Sequence, residues 1–152
     1  MFKKYTARVY DKLIALISEN QKEIGRIVEI SKFFSSKHYI IFNSRSYDIR
    51  NVGFLKNDAE LFNSKGVIYF TDLGKERIIK SGEEVRIYHF KLDKTNRLSE
   101  KGKLLMEIGI DKNRHKDSIY YVEADDSVDD LLILFFLYYS TQEFNSIGGD
   151  GD

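Results

Sequence analysis

The sequence predicts a mainly β protein, a closed antiparallel β-barrel of short strands around a C-terminal buried hydrophobic α-helix. Three observations predict it. From Leu131 to Tyr139 every residue is apolar or aromatic; successive helical residues step about 100° around the axis, so this run as a helix has no polar face and must be surrounded. Upstream, short apolar runs rich in β-branched and aromatic residues recur about every eight to twelve residues, with turn residues and no helical stretch between them. A helix placed after all the strands fits the middle of the barrel they close, and closure removes the sheet edges.

The first segment is open to two readings. Leu13, Ile14, Leu16 and Ile17 have the i, i+3, i+4 spacing of a helix, and they would serve equally as a strand buried on both faces. The polar break from Ser18 to Glu23 and the β-branched run Ile24 to Ile30 favour strands paired as a hairpin. Further strands are expected at His38–Phe42, Ser46–Arg50, Glu60–Phe62, Val67–Phe70, Arg77–Ile79, Val85–Leu92, Leu104–Ile110 and Ser118–Val122. Asn43-Ser44, Asn51 to Gly53, Asn63 to Gly66, Asp72 to Gly74, Ser81-Gly82, Glu100 to Gly102 and Asp111 to Asn113 supply the turn chemistry between them. The helix is expected over about 128–144, with Leu131, Leu134, Phe135 and Tyr138 in the core. Ser127 with Asp130 resembles a capping box, and Asp129 and Asp130 suit the positive end of the helix dipole. One domain then spans 1–146, and residues 147–152, ending in Gly-Asp-Gly-Asp, read as a flexible acidic tail.

A chain of 152 residues fits a single domain. Lys plus Arg and Asp plus Glu are equal at 24 each, so no overall field calls for nucleic acid, and none is expected as a partner. Without cysteine there is no disulfide framework, thiol nucleophile or Cys-based zinc site. The charges in Met1–Lys12 are too closely spaced for a signal-peptide core, so a cytoplasmic location is expected. The Leu131–Tyr139 run is about half of the ~20 residues that cross a bilayer, which favours a core helix over a membrane span.

Catalytic signatures are missing. His38, His89 and His115 are far apart and have no ligand-spaced neighbours; neither a Gly-x-Ser-x-Gly elbow nor a phosphate-cradling glycine loop occurs. His89 in Tyr88-His-Phe90 is read as an ordinary strand histidine. The acids Glu123, Asp125, Asp126, Asp129 and Asp130 lack the alternate spacing of a calcium loop and are read as capping and solubilising groups. No cofactor is expected. Basic residues gather at Lys32 and Lys37 around Phe33-Phe34 and again at Lys112, Arg114 and Lys116. If these loops meet at one barrel rim they make a site for anionic lipid head groups, with the two phenylalanines entering the interface. Solvated surface charge is the competing explanation.

The stretch Tyr121-Val-Glu-Ala-Asp-Asp-Ser-Val-Asp-Asp-Leu-Leu-Ile-Leu-Phe-Phe-Leu-Tyr-Tyr139 resembles the closing strand, acidic approach and apolar helix of the tubby C-terminal superfamily. That superfamily includes the LURP-one-related proteins and the phospholipid scramblases. Glu23-Ile-Gly-Arg-Ile-Val-Glu-Ile-Ser-Lys-Phe-Phe34 is similar to its early strand and aromatic corner. The chain departs from the pattern at Thr141-Gln-Glu143, where family helices continue toward an Asp, and it is short for a full twelve-strand barrel. The resemblance implies phosphoinositide binding, membrane association or, as for other members, no known activity, with no defined catalytic site to carry over. The expected function is therefore a non-enzymatic binding module for anionic phospholipid head groups. A protein-interaction or accessory subunit of a cytoplasmic complex is the alternative, and an enzyme of unknown class the third reading.

Overall fold

The structure is a computed structural model that describes residues 2–112, 118–141 and 143. Twelve strands precede one helix: β1 (Phe2–Tyr10), β2 (Leu13–Ser18), β3 (Glu23–Lys32), β4 (Ser35–Phe42), β5 (Arg45–Val52), β6 (Asp58–Asn63), β7 (Gly66–Asp72), β8 (Arg77–Lys80), β9 (Arg86–Leu92), β10 (Asn96–Glu100), β11 (Lys103–Lys112), β12 (Ser118–Asp125) and α1 (Asp130–Thr141). Each strand pairs antiparallel with its sequence neighbours, and β1 closes the barrel against β12 with Phe2 opposite Asp125 and Arg8 opposite Ile119. The open question at residues 8–18 resolves as the hairpin β1–β2, and β2 pairs β3 as expected.

Short strands and tight turns let 152 residues complete twelve strands, so the chain is not too short for the full barrel. The β4–β5 turn shows how. Asn43 and Ser44 both have positive φ, at 53° and 61°, the pattern of a two-residue turn whose twist matches the flanking strands. One strand was not anticipated, β10, because Asn96-Arg-Leu-Ser-Glu100 has only one apolar residue, the buried Leu98. A strand with a single apolar residue carries almost no periodic signal.

α1 runs through the barrel, and every residue from Leu131 to Tyr139 is buried. Alternate strand residues face it: Ala7, Ile14, Leu16, Ile27, Ile40, Leu61, Ile78, Leu98 and Met106 are each fully enclosed. Phe135 stacks on Tyr69 with ring centroids 6.2 Å apart, while Phe136 and Tyr139 contact Phe90 at 6.4 and 5.5 Å. Such aromatic pairs add about 1 kcal/mol beyond the area they bury. The helix packs tightly on the wall at Gly25 of β3, where an added Cβ would stand 2.7 Å from Leu134 Cδ1 and 2.9 Å from the Ile41 carbonyl oxygen.

The helix start differs from the expected capping box. Ser127 turns back to Asp125, donating its hydroxyl and, at 3.1 Å, its amide to that carboxylate. Asp129 is the cap instead, its Oδ1 accepting the Leu131 amide at 3.2 Å. Asp129 Oδ2 also accepts the Tyr69 hydroxyl at 3.4 Å, and Asp130 Oδ1 accepts Tyr5 Oη at 2.6 Å and Lys3 Nζ at 3.1 Å. A second acid was needed because the first helical turn enters the barrel against β1 and β7, where Tyr5 and Tyr69 bring hydroxyls that require acceptors. The described helix ends at Thr141, and residues 147–152 of the expected tail lie outside the described residues.

Candidate functional site

Antiparallel connectivity sorts the loops onto two ends of the barrel. The turns β1–β2, β3–β4, β5–β6, β7–β8 and β9–β10 share one end with the close of α1; the other end carries Phe2, the turns β2–β3, β4–β5, β6–β7, β8–β9 and β10–β11 and the start of α1. On the first end the β3–β4 hairpin projects. β3 pairs with β2 only as far as Val28, and β4 pairs with β5 only from His38 onward. Ile30 to Lys37 therefore pair only with each other among the described strands, as a two-stranded ribbon with Ile30 opposite Lys37 and Lys32 opposite Ser35.

At the ribbon's tip Phe33 and Phe34 are 92% and 91% exposed, their rings 4.4 Å apart. Large apolar groups this exposed lose hydrophobic stabilisation, and two together at a projecting tip point to a partner surface. Lys32 and Lys37 flank them, and neither has an acidic partner among the described residues. Leu55, 74% exposed, and Tyr10, 52% exposed, stand on the neighbouring turns of the same end. Leu55 also has φ 57°, a left-handed conformation that is costly for a leucine and that clusters at functional positions.

Beneath the ribbon the barrel interior turns polar. Glu29 and His38 are cross-strand partners, with His38 Nε2 3.1 Å from Glu29 Oε2. With Nε2–H donating to Glu29, Nδ1 is an acceptor, and it lies 3.4 Å from the Tyr138 hydroxyl. Asn51 Oδ1 is a second acceptor for Tyr138 at 3.3 Å. This network ties the root of the ribbon to the last turns of α1, where Tyr139 also donates to the Asn57 carbonyl at 3.0 Å and Asn96 Nδ2 to that of Ser140 at 3.2 Å.

Burial lowers the proton affinity of His38, and the carboxylate of Glu29 opposes this without reversing it. The native state thus favours neutral His38, whereas the unfolded chain takes up a proton as pH falls through 6.5, the ordinary value. Stability held above that pH is lost progressively below it. The urea midpoint should fall between about pH 7.5 and about pH 5.5, above the range in which carboxylates ordinarily titrate, and His38→Gln should remove part of that fall. A pH profile identical in wild type and variant would show that His38 is not the titrating group.

Of the residues the sequence singled out, Lys32 and Lys37 sit together on the ribbon. Lys112 ends β11 on the same end of the barrel, with the β1–β2 turn between that rim position and the ribbon. The Lys112 side chain, Arg114 and Lys116 lie outside the described residues. Other basic groups are engaged elsewhere: Lys3 with Asp130, and Arg50 with Glu60 at 2.7 Å and over the Phe62 ring at 4.7 Å. Leu131, Leu134, Phe135 and Tyr138 are buried as expected, Tyr138 with its hydroxyl satisfied. Tyr10 and Leu55 were missed, since exposure on a shared rim follows from strand register, which single residues do not announce. Among the described residues no three His, Asp or Glu side chains converge as a metal site, and no helix is long and apolar enough to cross a membrane.

With this geometry in view, the chain matches no family model and no curated protein. It is similar in structure to a protein from Arabidopsis thaliana known from its X-ray structure, with a TM-score of 0.62 over 93% of this chain and 90% of that one. The likeness is one of fold. At 10% identity it carries no residue of the site across, and it agrees with a twelve-strand antiparallel barrel closed around a single C-terminal helix.

Proposed function

We propose that this protein is a non-enzymatic module of the tubby-like kind that docks on membrane surfaces rich in anionic phospholipid, on the cytoplasmic side, through the end of the barrel bearing the β3–β4 ribbon. The observation that carries this reading is the exposure of Phe33 and Phe34 at a projecting tip between two lysines that have no acidic partner among the described residues. The rings reach the acyl boundary while the ammonium groups remain at the level of the head groups, where each is worth about 1 kcal/mol near an anionic surface. The tubby-like resemblance of the closing strand and helix points the same way.

The wild-type protein should sediment with vesicles containing phosphatidylserine or phosphatidylinositol bisphosphate and stay in solution with pure phosphatidylcholine, and salt should weaken the binding. Phe33→Ala with Phe34→Ala should weaken it by about 2 kcal/mol, roughly thirtyfold, from lost apolar burial. Melting temperature should hardly change, since neither ring packs in the core. Wild type remaining in the supernatant with every vesicle would remove the proposal. The alternative, a protein partner, draws on the same ribbon, whose outer backbone edges are open to strand addition. A partner captured without vesicles, and lost when Ser36→Pro breaks one edge, would favour it.

A further inference from the structure

On the opposite wall of the barrel, across from the β3–β4 ribbon, the β9–β10 hairpin carries an open groove of about 460 Å³ lined by His89, Phe90, Lys91, Lys94, Thr95, Arg97 and Ser99, with Asp93 at the turn. That volume lies within the range of small-molecule sites. Its charged side chains are mostly cationic, Lys91, Lys94 and Arg97 against the one carboxylate of Asp93.

The ladder shows what the groove lacks. Arg97 stands directly opposite Lys91, and His89 is flanked by Arg77 on β8 and Ser99 on β10. Like charges facing each other across an antiparallel pair destabilise the sheet. Only part of this repulsion is relieved. Glu107 of β11 accepts Arg97 Nε at 2.8 Å and the Thr95 hydroxyl at 3.1 Å, and Arg77 turns away to Asp72 at 3.0 Å. Lys91 and Lys94 have no acidic partner among the described residues, and neither do the terminal nitrogens of Arg97. Glu107 thus fixes the guanidinium by one edge and leaves its other donors available, the arrangement that suits a fork-shaped contact to phosphate oxygens. Elsewhere on the wall Arg26 pairs with Glu23, Arg50 with Glu60 and Arg86 with Glu100, whereas this hairpin gathers three cations around one partly engaged carboxylate of a neighbouring strand.

We infer that the β9–β10 groove is a binding site for a small ligand bearing at least two phosphate groups, held by Arg97 and Lys91 on one side and Lys94 on the other, with Ser99 donating a hydroxyl contact. The inference does not rest on membrane docking by the ribbon, which lies across the barrel.

Isothermal titration with inorganic pyrophosphate and with fructose 1,6-bisphosphate tests it. Saturable binding is expected with Kd below about 1 mM, and sulfate should bind much more weakly. Lys91→Ala and Arg97→Ala should each weaken binding about tenfold, the usual effect of removing one charge-assisted contact; both positions are exposed, and circular dichroism should confirm that the variants stay folded. The Phe33→Ala, Phe34→Ala double variant should bind as wild type does. Vesicles containing phosphatidylinositol bisphosphate form the second arm: competition with the soluble ligand that is lost in Arg97→Ala supports the site and makes the phosphates lipid-borne, while no competition supports it with a soluble ligand. No saturable binding at millimolar ligand, binding unchanged in Lys91→Ala and Arg97→Ala, or equal affinity for sulfate would overturn it.

Discussion

Leu134→Asp is expected to leave essentially no soluble folded protein. Leu134 is fully enclosed in the middle of α1, its Cδ1 against the Gly25 backbone. A carboxylate there would have no partner, and an uncompensated buried charge costs several kcal/mol, about 5 or more. Whole domains are stable by only about 5–15 kcal/mol, so one substitution consumes much or all of the margin. Leu134→Met, which conserves volume, should cost less than about 1.5 kcal/mol, and it controls for handling of the variant. Soluble fraction after expression and far-ultraviolet circular dichroism read both. Recovery of the Asp variant as a folded protein with the wild-type spectrum would mean that the helix does not fill the barrel.

Gly25→Ala should cost about 1–3 kcal/mol, read as a lower urea midpoint at unchanged slope. The new methyl would meet Leu134 Cδ1 at 2.7 Å, which a rotamer change could relieve, and the Ile41 carbonyl oxygen at 2.9 Å, which belongs to the β3–β4 ladder and cannot yield without breaking it. The two contacts are separable. Combining Gly25→Ala with Leu134→Ala should cost less than the sum of the single changes, because the truncated side chain vacates the space the methyl needs. Strict additivity would place the strain on the carbonyl alone. A Gly25→Ala protein as stable as wild type would show that the wall and helix are looser than the geometry describes.

Different parts of the molecule were legible to different degrees. The core helix could be read because a run without a polar face admits few environments, and Leu131 to Tyr139 are all enclosed. Most strands could be read from alternation and turn residues. β10 could not, because Leu98 is its one buried apolar residue. The cap was misplaced from Asp129 to Ser127 because both residue types suit an N-cap, and only the neighbouring Tyr5 and Tyr69 hydroxyls distinguish the acids' roles. Of the binding features, Lys32, Phe33, Phe34 and Lys37 stood out through local composition, but their projection depends on where β2 and β5 stop pairing. The β9–β10 groove was invisible for a related reason. Lys91 and Arg97 become neighbours only through cross-strand register, and the equal totals of acid and base conceal a local surplus.

The pairing of Phe2 with Asp125 sets the order of events during synthesis. The opening strand must wait for the twelfth, and the interior has no filling until the chain has been made as far as Thr141. Until then a growing, curled sheet presents its apolar inner face to the ribosome exit and to chaperones. A contact spanning nearly the whole chain makes closure slow, and any truncation ahead of residue 131 should yield a nascent chain bound for degradation, with no smaller working domain left behind.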